Sequence, residues 1–460
     1  VAKMFVGRKR ELEKLNEMHA SDKFECAIIY GRRRVGKTSL IQKFIKDKKA
    51  VYFLSLETSE RVNLDNFGKC TRDALALKTL PRFVNFTDAL EMLGDLASDE
   101  RIILVIDEYP YLANSVKGMS SILQAQIDTR LKNTKLFLIL CGSSMSFMEN
   151  QVLGYQSPLY GRRTAQFKIT QLSFYEAAHF YEKWNAYDKA VAYGITGGIP
   201  HYLAYLNDKK SLKENIISGF FDPNSYLFEE PSNLLKQELR EPQMYNNIIT
   251  AIAAGSSRQN EIATKTGLET AVCSKYLTSL ISLGIVKKER PLLDEKLKKT
   301  IYRLADSMFR FWYRFVPHHS SLIQSGAGKK VYSDIEPQIP AFMGEVFEEI
   351  CKQYLWRENL AERLPFYFRD AGRWWGTNPL KKSEQEIDIL AVGENCAIFC
   401  ECKWTTEPVG SGILNNLIEK SLMFDYDDKF YFIFSKSGFT DECKKRENVQ
   451  LIEFKDMLKD

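Results

Sequence analysis

Eight consecutive residues, Gly31-Arg32-Arg33-Arg34-Val35-Gly36-Lys37-Thr38, have the types and spacing of a phosphate-binding loop. Glycines at both ends, Gly31 and Gly36, let backbone N–H groups curl around phosphate oxygens at the start of a helix, with Arg34, Val35 and Ser39 completing the cradle. Lys37 is positioned to reach the terminal phosphates of ATP and Thr38 to hold Mg²⁺. Farther on, the apolar run 102–106 ends in Asp107-Glu108. Asp107 there would join the Mg²⁺ shell and Glu108 would polarise the attacking water. A second set of charged residues lies near the other end, Glu386-Ile387-Asp388 and Glu401-Cys402-Lys403. Strand alternation puts Glu386 and Asp388 on one face, and likewise Glu401 and Lys403, with Ile387, Ile389, Cys400 and Cys402 facing inward. Carboxylates that hold a cation against a phosphodiester, with a lysine to orient water, are what a magnesium nuclease needs. Asp388 and Glu401 are the expected metal ligands, Lys403 the lysine, and Glu348 a further polar arm. The competing reading is a set of exposed strand charges in a catalytically silent fold.

These residues need elements to position them. Apolar strand-like runs at 26–30, 50–55, 102–106 and 136–140 alternate with helical stretches, the pattern of a parallel sheet wrapped by helices. The run 136–140 ends in Cys141-Gly142-Ser143-Ser144, where Ser143 is either a γ-phosphate sensor or part of a Gly-Ser turn. Arg162 and Arg163 follow as an arginine finger, in cis or from a neighbouring subunit, or as a solvated or nucleic-acid-facing pair. Residues 171–206 read as helical, with a break at Gly197-Gly198-Ile199-Pro200.

Three helices at 245–254, 259–266 and 270–283, followed by a hairpin from 284 to 304, are similar to a winged helix-turn-helix. From Arg258 to Arg303 there are ten basic and five acidic residues, a local excess equal to the formal charge of +5 of the whole chain. Lys275 on the third helix and Lys287, Lys288, Arg290, Lys298 and Lys299 on the wing are the expected DNA contacts. A lysine-rich hairpin also serves as a solvated sheet edge. The Ser, Gly and Pro content of 317–340 suggests a linker. Beyond it, a helix at 341–357 and strands near 366–368, 386–392, 397–403 and 429–435 indicate a mixed α/β unit. Gly372-Arg373-Trp374-Trp375-Gly376 either stacks bases or covers the sheet.

The chain has 460 residues, 45% hydrophobic and 27% charged, enough for several cores and without the composition of disorder. No apolar run approaches the ~18 residues that span a bilayer, so a cytoplasmic location and no membrane partner are expected. Nine scattered cysteines form no C-x-x-C pair, and Cys396, Cys400 and Cys402 read as small strand residues rather than a zinc site.

Phe5-Val6-Gly7-Arg8 with Glu11-Leu12, the phosphate loop, the Asp107-Glu108 strand and Gly198-Ile199-Pro200 together resemble the archaeal-type ATPases of the STAND branch of AAA+ proteins. The resemblance spans about the first half of the chain. It implies that Gly7, Arg8 and Pro200 contact the nucleotide, and that ATP drives slow, switch-like turnover. Residues 341–460 resemble the PD-(D/E)XK nuclease superfamily, in particular its Holliday-junction-resolvase-like and Mrr-like members, and also the domain of unknown function that follows this ATPase type. No Pro-Asp pair precedes the motif, since Asp388 follows Ile387.

The expected class is multidomain α/β: a P-loop core at 1–165, a helical lid at 166–240, a winged helix at 241–316, a linker at 317–340 and a restriction-endonuclease-like domain at 341–460. The expected function is an ATP-hydrolysing switch that binds DNA and cleaves it with Mg²⁺, with nucleotide-dependent homo-oligomers as a further expectation. The alternatives are a signalling ATPase with an inactive nuclease-like module and an ATP-responsive transcription regulator.

Overall fold

The computed structural model describes residues 5–293, 299–378 and 381–459. Two compact units emerge, one of residues 1–172 with 199–201, the other of 173–198 with 202–460.

The first unit is built on five parallel strands, β1 (Glu25–Tyr30), β2 (Ala50–Leu54), β3 (Ile102–Asp107), β4 (Leu136–Gly142) and β5 (Ala165–Lys168), in the order β2-β3-β4-β1-β5. β1, β3 and β4 are buried along their whole length, as central strands covered by helices on both faces must be. Phe53, Phe67, Phe86, Leu93, Leu104 and Leu138 form the core on one face. β5 escapes an apolar-run search because only Phe167 of its four residues is buried, so the sheet continues past the expected boundary at 165.

The second unit begins with helices, among them Ala186–Thr196, Leu212–Phe220 and Tyr226–Glu238. Helices Pro242–Ala253, Gln259–Thr266 and Thr270–Ser282 then lead into the antiparallel pair β6 (Val286–Glu289) and β7 (Ile301–Leu304). Helix Ser307–Phe315 follows.

The expected linker at 317–340 is instead helical, including Ser320–Gln324 and Gly328–Ile335, with Ile323, Val331 and Ile335 fully buried. Its composition misleads because Gly328 is a packing residue. A Cβ there would lie 2.5 Å from the carbonyl oxygen of Phe221.

Helix Ile339–Leu360 opens a mixed sheet of β8 (Asp370–Asn378), β9 (Ser383–Val392), β10 (Cys396–Lys403), β11 (Asp428–Ser435) and β12 (Val449–Glu453), ordered β12-β11-β10-β9-β8. β8, β9 and β10 run antiparallel, while β10, β11 and β12 run parallel. The parallel β10–β11 step requires a crossover, supplied by helix Ser411–Ser421. The strand expected near 366–368 is absent. Its pairing partner for β9 is β8, where Trp374 packs edge-on against Phe424 at 4.9 Å, so this tryptophan covers the sheet.

Candidate nucleotide site and carboxylate cluster

The phosphate loop connects β1 to helix Lys37–Ile45. Gly31 must be glycine, since a Cβ would stand 2.2 Å from the carbonyl oxygen of Ile169, and Gly36 adopts φ 92° at the helix start. Arg34 is also left-handed, at φ 74°. The Lys37 ammonium donates to the carbonyls of Gly31 at 2.8 Å and Arg32 at 3.0 Å, which keeps it folded over the loop. Thr38 and Ser39 are exposed at the first turn.

Asp107 closes β3 beneath the loop. Its Oδ2 accepts from Thr38 Oγ1 at 3.1 Å and from the Tyr52 hydroxyl, so the two residues expected to share Mg²⁺ stand side by side. Burial, and then the hydrogen bond to Asp107, push the Tyr52 phenol far up, so it remains a neutral donor. Tyr52 carries no sequence signal beyond its place on a strand. Glu108 has φ 51°, a left-handed backbone that is costly for a non-glycine residue. Its carboxylate accepts from Ser143 Oγ at 2.9 Å and from Ser143 N at 3.2 Å. Ser143, at the end of the adjacent β4, therefore grips Glu108.

Gly7 and Arg8 are both left-handed, with φ of 71° and 62°. The buried Arg8 guanidinium donates to the Val35 carbonyl at 3.2 Å and to that of Thr170, tying the N-terminal turn to the loop. The Pro200 ring lies against Gly36, at 3.6 Å from where a Cβ would stand, and the His201 N–H donates to the Arg34 carbonyl at 3.4 Å. Gly7, Arg8 and Pro200 thus gather around the phosphate loop. The arginines of 162–163 are engaged elsewhere. Arg162 forms a forked ion pair with Asp128, its Nε and Nη2 at 3.0 and 2.8 Å, and Arg163 lies over the Tyr160 ring at 5.5 Å.

In the second unit, Asp388 on β9 and Glu401 and Lys403 on β10 converge. Lys403 Nζ is 2.6 Å from Glu401 Oε1 and 3.9 Å from Asp388 Oδ2, and Lys420 of the crossover helix is 3.4 Å from Glu401 Oε2. The Cys402 N–H donates to Asp388 Oδ2 at 2.8 Å. Burial and then the Glu401 charge push Asp388 up to about 6. Glu348, on helix Ile339–Leu360, is pushed up to about 8 by burial and then by Asp388.

Among the described residues, no three His, Cys, Asp or Glu side chains form a group that would hold a metal ion. The expected set of Glu348, Asp388 and Glu401 is therefore not one three-carboxylate cage. Lys420 went unforeseen because helical spacing does not reveal which strand a lysine will reach.

Lys275, Lys287, Lys288, Arg290 and Lys299 are exposed. Lys287 also pairs with Glu289 at 3.5 Å. Lys298 lies outside the described residues. No described helix is long and apolar enough to cross a membrane.

Comparison with known proteins gives these observations their setting. Residues 5–206 match a family described as an ATPase domain predominantly from Archaea, and residues 312–415 a family described as archaea bacterial proteins of unknown function. The second match runs through the segment 317–340. An uncharacterized protein of Methanocaldococcus jannaschii is 33% identical over 460 residues, covering 98% of this chain and 100% of its own. An uncharacterized ATP-binding protein of the same organism is 56% identical over 46 residues, which is 10% of this chain and 78% of its own. Among solved structures, a Walker-type ATPase of Pyrococcus abyssi aligns with a TM-score of 0.52 at 18% identity, over 67% of this chain and 96% of that one. That likeness is one of fold.

Proposed function

We propose, for a chain that belongs to the family of the 33% identical Methanocaldococcus jannaschii protein and carries an archaeal-type ATPase domain ahead of a region of unknown function, an ATP-controlled, DNA-directed switch whose carboxylate cluster cleaves phosphodiester bonds. At the phosphate loop, Thr38 Oγ1 and Asp107 Oδ2, 3.1 Å apart, fit Mg²⁺. When bound, that ion neutralises charge on the transferring phosphate. Lys37 binds the terminal phosphates. Glu108 orients the attacking water, and Ser143 positions Glu108. The Arg162–Asp128 pair lies at the surface, where solvent screens it, so a neighbouring subunit's phosphate would readily replace it. Arg162 is then a finger in trans, and Arg163 its neighbour.

The nuclease reading rests on one observation, the placement of Asp388, Glu401 and Lys403 on adjoining antiparallel strands. A helix, three antiparallel strands, a crossover helix and a parallel strand support the likeness to the PD-(D/E)XK fold. Two carboxylates suffice for Mg²⁺ when phosphate oxygens and waters complete its shell. Lys403 then holds the attacking water. The three helices with β6 and β7 serve as a winged helix that binds DNA through Lys275, Lys287, Lys288, Arg290 and Lys299.

The test is cutting of linear, branched and plasmid DNA with Mg²⁺ or Mn²⁺. Wild type should cut, and Glu401→Ala should not. Absence of cutting by wild type on all three substrates would sink the nuclease reading. The second reading, a signalling ATPase with a silent module, is favoured by the lysines that already occupy both oxygens of Glu401. Its signature is nucleotide-dependent assembly without cleavage.

A further inference from the structure

A cavity of about 340 Å³ opens where the end of helix Pro242–Ala253, strand β7, helix Ser307–Phe315, helix Ile339–Leu360 and strand β8 meet. Arg303, Arg310, Arg314 and Arg373 line it against a single carboxylate, Glu345, with Ser256 and Ser257 also in the wall. Four guanidinium groups gathered around one small space repel one another, so the fold must supply anions. It supplies Glu345, which pairs with Arg303 and, at 2.8 Å, with Arg310 Nη1, and from outside the cavity Glu289, whose Oε2 is 3.9 Å from Arg303 Nη1. Arg373 pairs with Glu386.

The compensation is incomplete. Arg310 Nε is buried and makes no hydrogen bond among the described residues. Burial lowers the Arg314 pKa, with the charge of Glu345 opposing this and that of Arg310 adding to it.

A carboxylate offers two oxygens to this wall, whereas a phosphate group offers three or more in a geometry that forked guanidinium donors match. We propose that this cavity is a phosphate-binding site in which Glu345 is the internal stand-in that an incoming phosphate displaces. The phosphate is carried either by a polynucleotide backbone or by a free nucleotide or pyrophosphate. Arg373 in this wall pairs with Glu386, two residues before Asp388 on β9, so a bound phosphate sits beside the carboxylate cluster and would be a flanking phosphate of a strand engaged there. Only this polynucleotide source rests on the DNA reading above.

The test uses the full chain and two probes: a labelled duplex oligonucleotide, and pyrophosphate measured in a Lys37→Ala background that weakens the phosphate loop's own grip. Arg310→Gln and Arg314→Gln should each weaken the responding probe about tenfold, the scale of one charge-assisted contact. Glu345→Gln should tighten it roughly threefold to tenfold, by removing the competitor. Because Glu345 pairs with Arg303 and Arg310, Arg314→Gln leaves its ion pairs in place and is the variant least able to unfold the site. A response with the oligonucleotide supports the backbone source. A response with pyrophosphate alone supports the cavity and assigns it a free phosphate, even if the wild-type chain binds no DNA. If both affinities are unchanged in all three variants at wild-type melting temperature, the proposal is overturned, and DNA binding through the wing lysines is left standing.

Discussion

Glu108 shows how a single residue can be both strained and useful. Its left-handed backbone turns the carboxylate toward Ser143, and two hydrogen bonds hold it there. Glu108→Gln should lower ATP turnover about 100-fold or more while nucleotide affinity persists, since water activation is lost and the cradle is not. Ser143→Ala removes one of the two donors and should cost roughly threefold to tenfold in kcat. Equal turnover by wild type and Glu108→Gln would remove Glu108 from the chemistry. Glu348 makes a different, thermodynamic prediction. Its pKa rises from 4.5 to about 8 on folding, so the folded chain binds the extra proton between those values. The contribution of Glu348 to stability is therefore fully present below about 4.5 and is lost as pH rises toward about 8. In Glu348→Gln, with divalent ions chelated, that decline should flatten, leaving the variant roughly 2 kcal/mol more stable at high pH after allowance for partial solvent access. Melting curves across pH check this, and parallel profiles for the two proteins would refute it.

At the scale of elements, the packed helices of 317–340 carry a direct prediction. Trypsin should spare Lys329 and Lys330 in the folded chain although both are exposed, because cleavage needs the helix Gly328–Ile335 to open. Gly328→Val places a side chain against the Phe221 carbonyl. It should destabilise the packing by about 1–3 kcal/mol and make this segment an early cleavage site. Rapid cutting there in wild type would restore the linker reading. The contrast also explains what was legible in the sequence. β1, β3 and β4 are largely apolar runs, and the helices at 259–266 and 270–282 are followed closely by Gly267 and Gly284, so local pattern sufficed. The phosphate loop and the Asp107-Glu108 step were legible for the same reason, because their residues are adjacent in sequence. β8 was missed because its tryptophans and glycines do not alternate and its register shifts between Gly372 and Trp374. Glycine at 328 looks the same in sequence whether it frees a chain or admits a close neighbour. Lys420, Tyr52 and the arginine cavity depend on which distant elements meet, information that no local spacing holds. The β6–β7 hairpin lies between these cases. Its basic residues are readable, and their partner is decided by experiment: alanine at Lys287, Lys288 and Arg290 should lower the salt slope of DNA affinity by about two to three counter-ions.

For the whole molecule, the path of the chain matters more than any one contact. It leaves the first unit after Leu172, returns for Ile199–His201, and departs again at Tyr202. During that brief return Pro200 rests on Gly36 and the His201 N–H bonds the Arg34 carbonyl. Two residues that touch the phosphate loop, Pro200 and His201, therefore lie in a segment covalently continuous, on both sides, with the unit that holds the basic hairpin and the carboxylates. We predict that nucleotide at the loop is felt through this segment by the second unit. Binding energies so linked are reciprocal. A non-hydrolysable ATP analogue should shift oligonucleotide affinity by a factor of about 5 or more, and the oligonucleotide should shift analogue affinity by the same factor. Pro200→Gly removes the ring from Gly36 and loosens the backbone, so the shared factor should fall toward one while the two separate affinities change less. Fluorescence titration of each ligand with the other saturating measures both arms of the cycle. Affinities that ignore each other in the wild-type chain would mean that the two units act independently, and that the return of 199–201 to the phosphate loop serves folding alone.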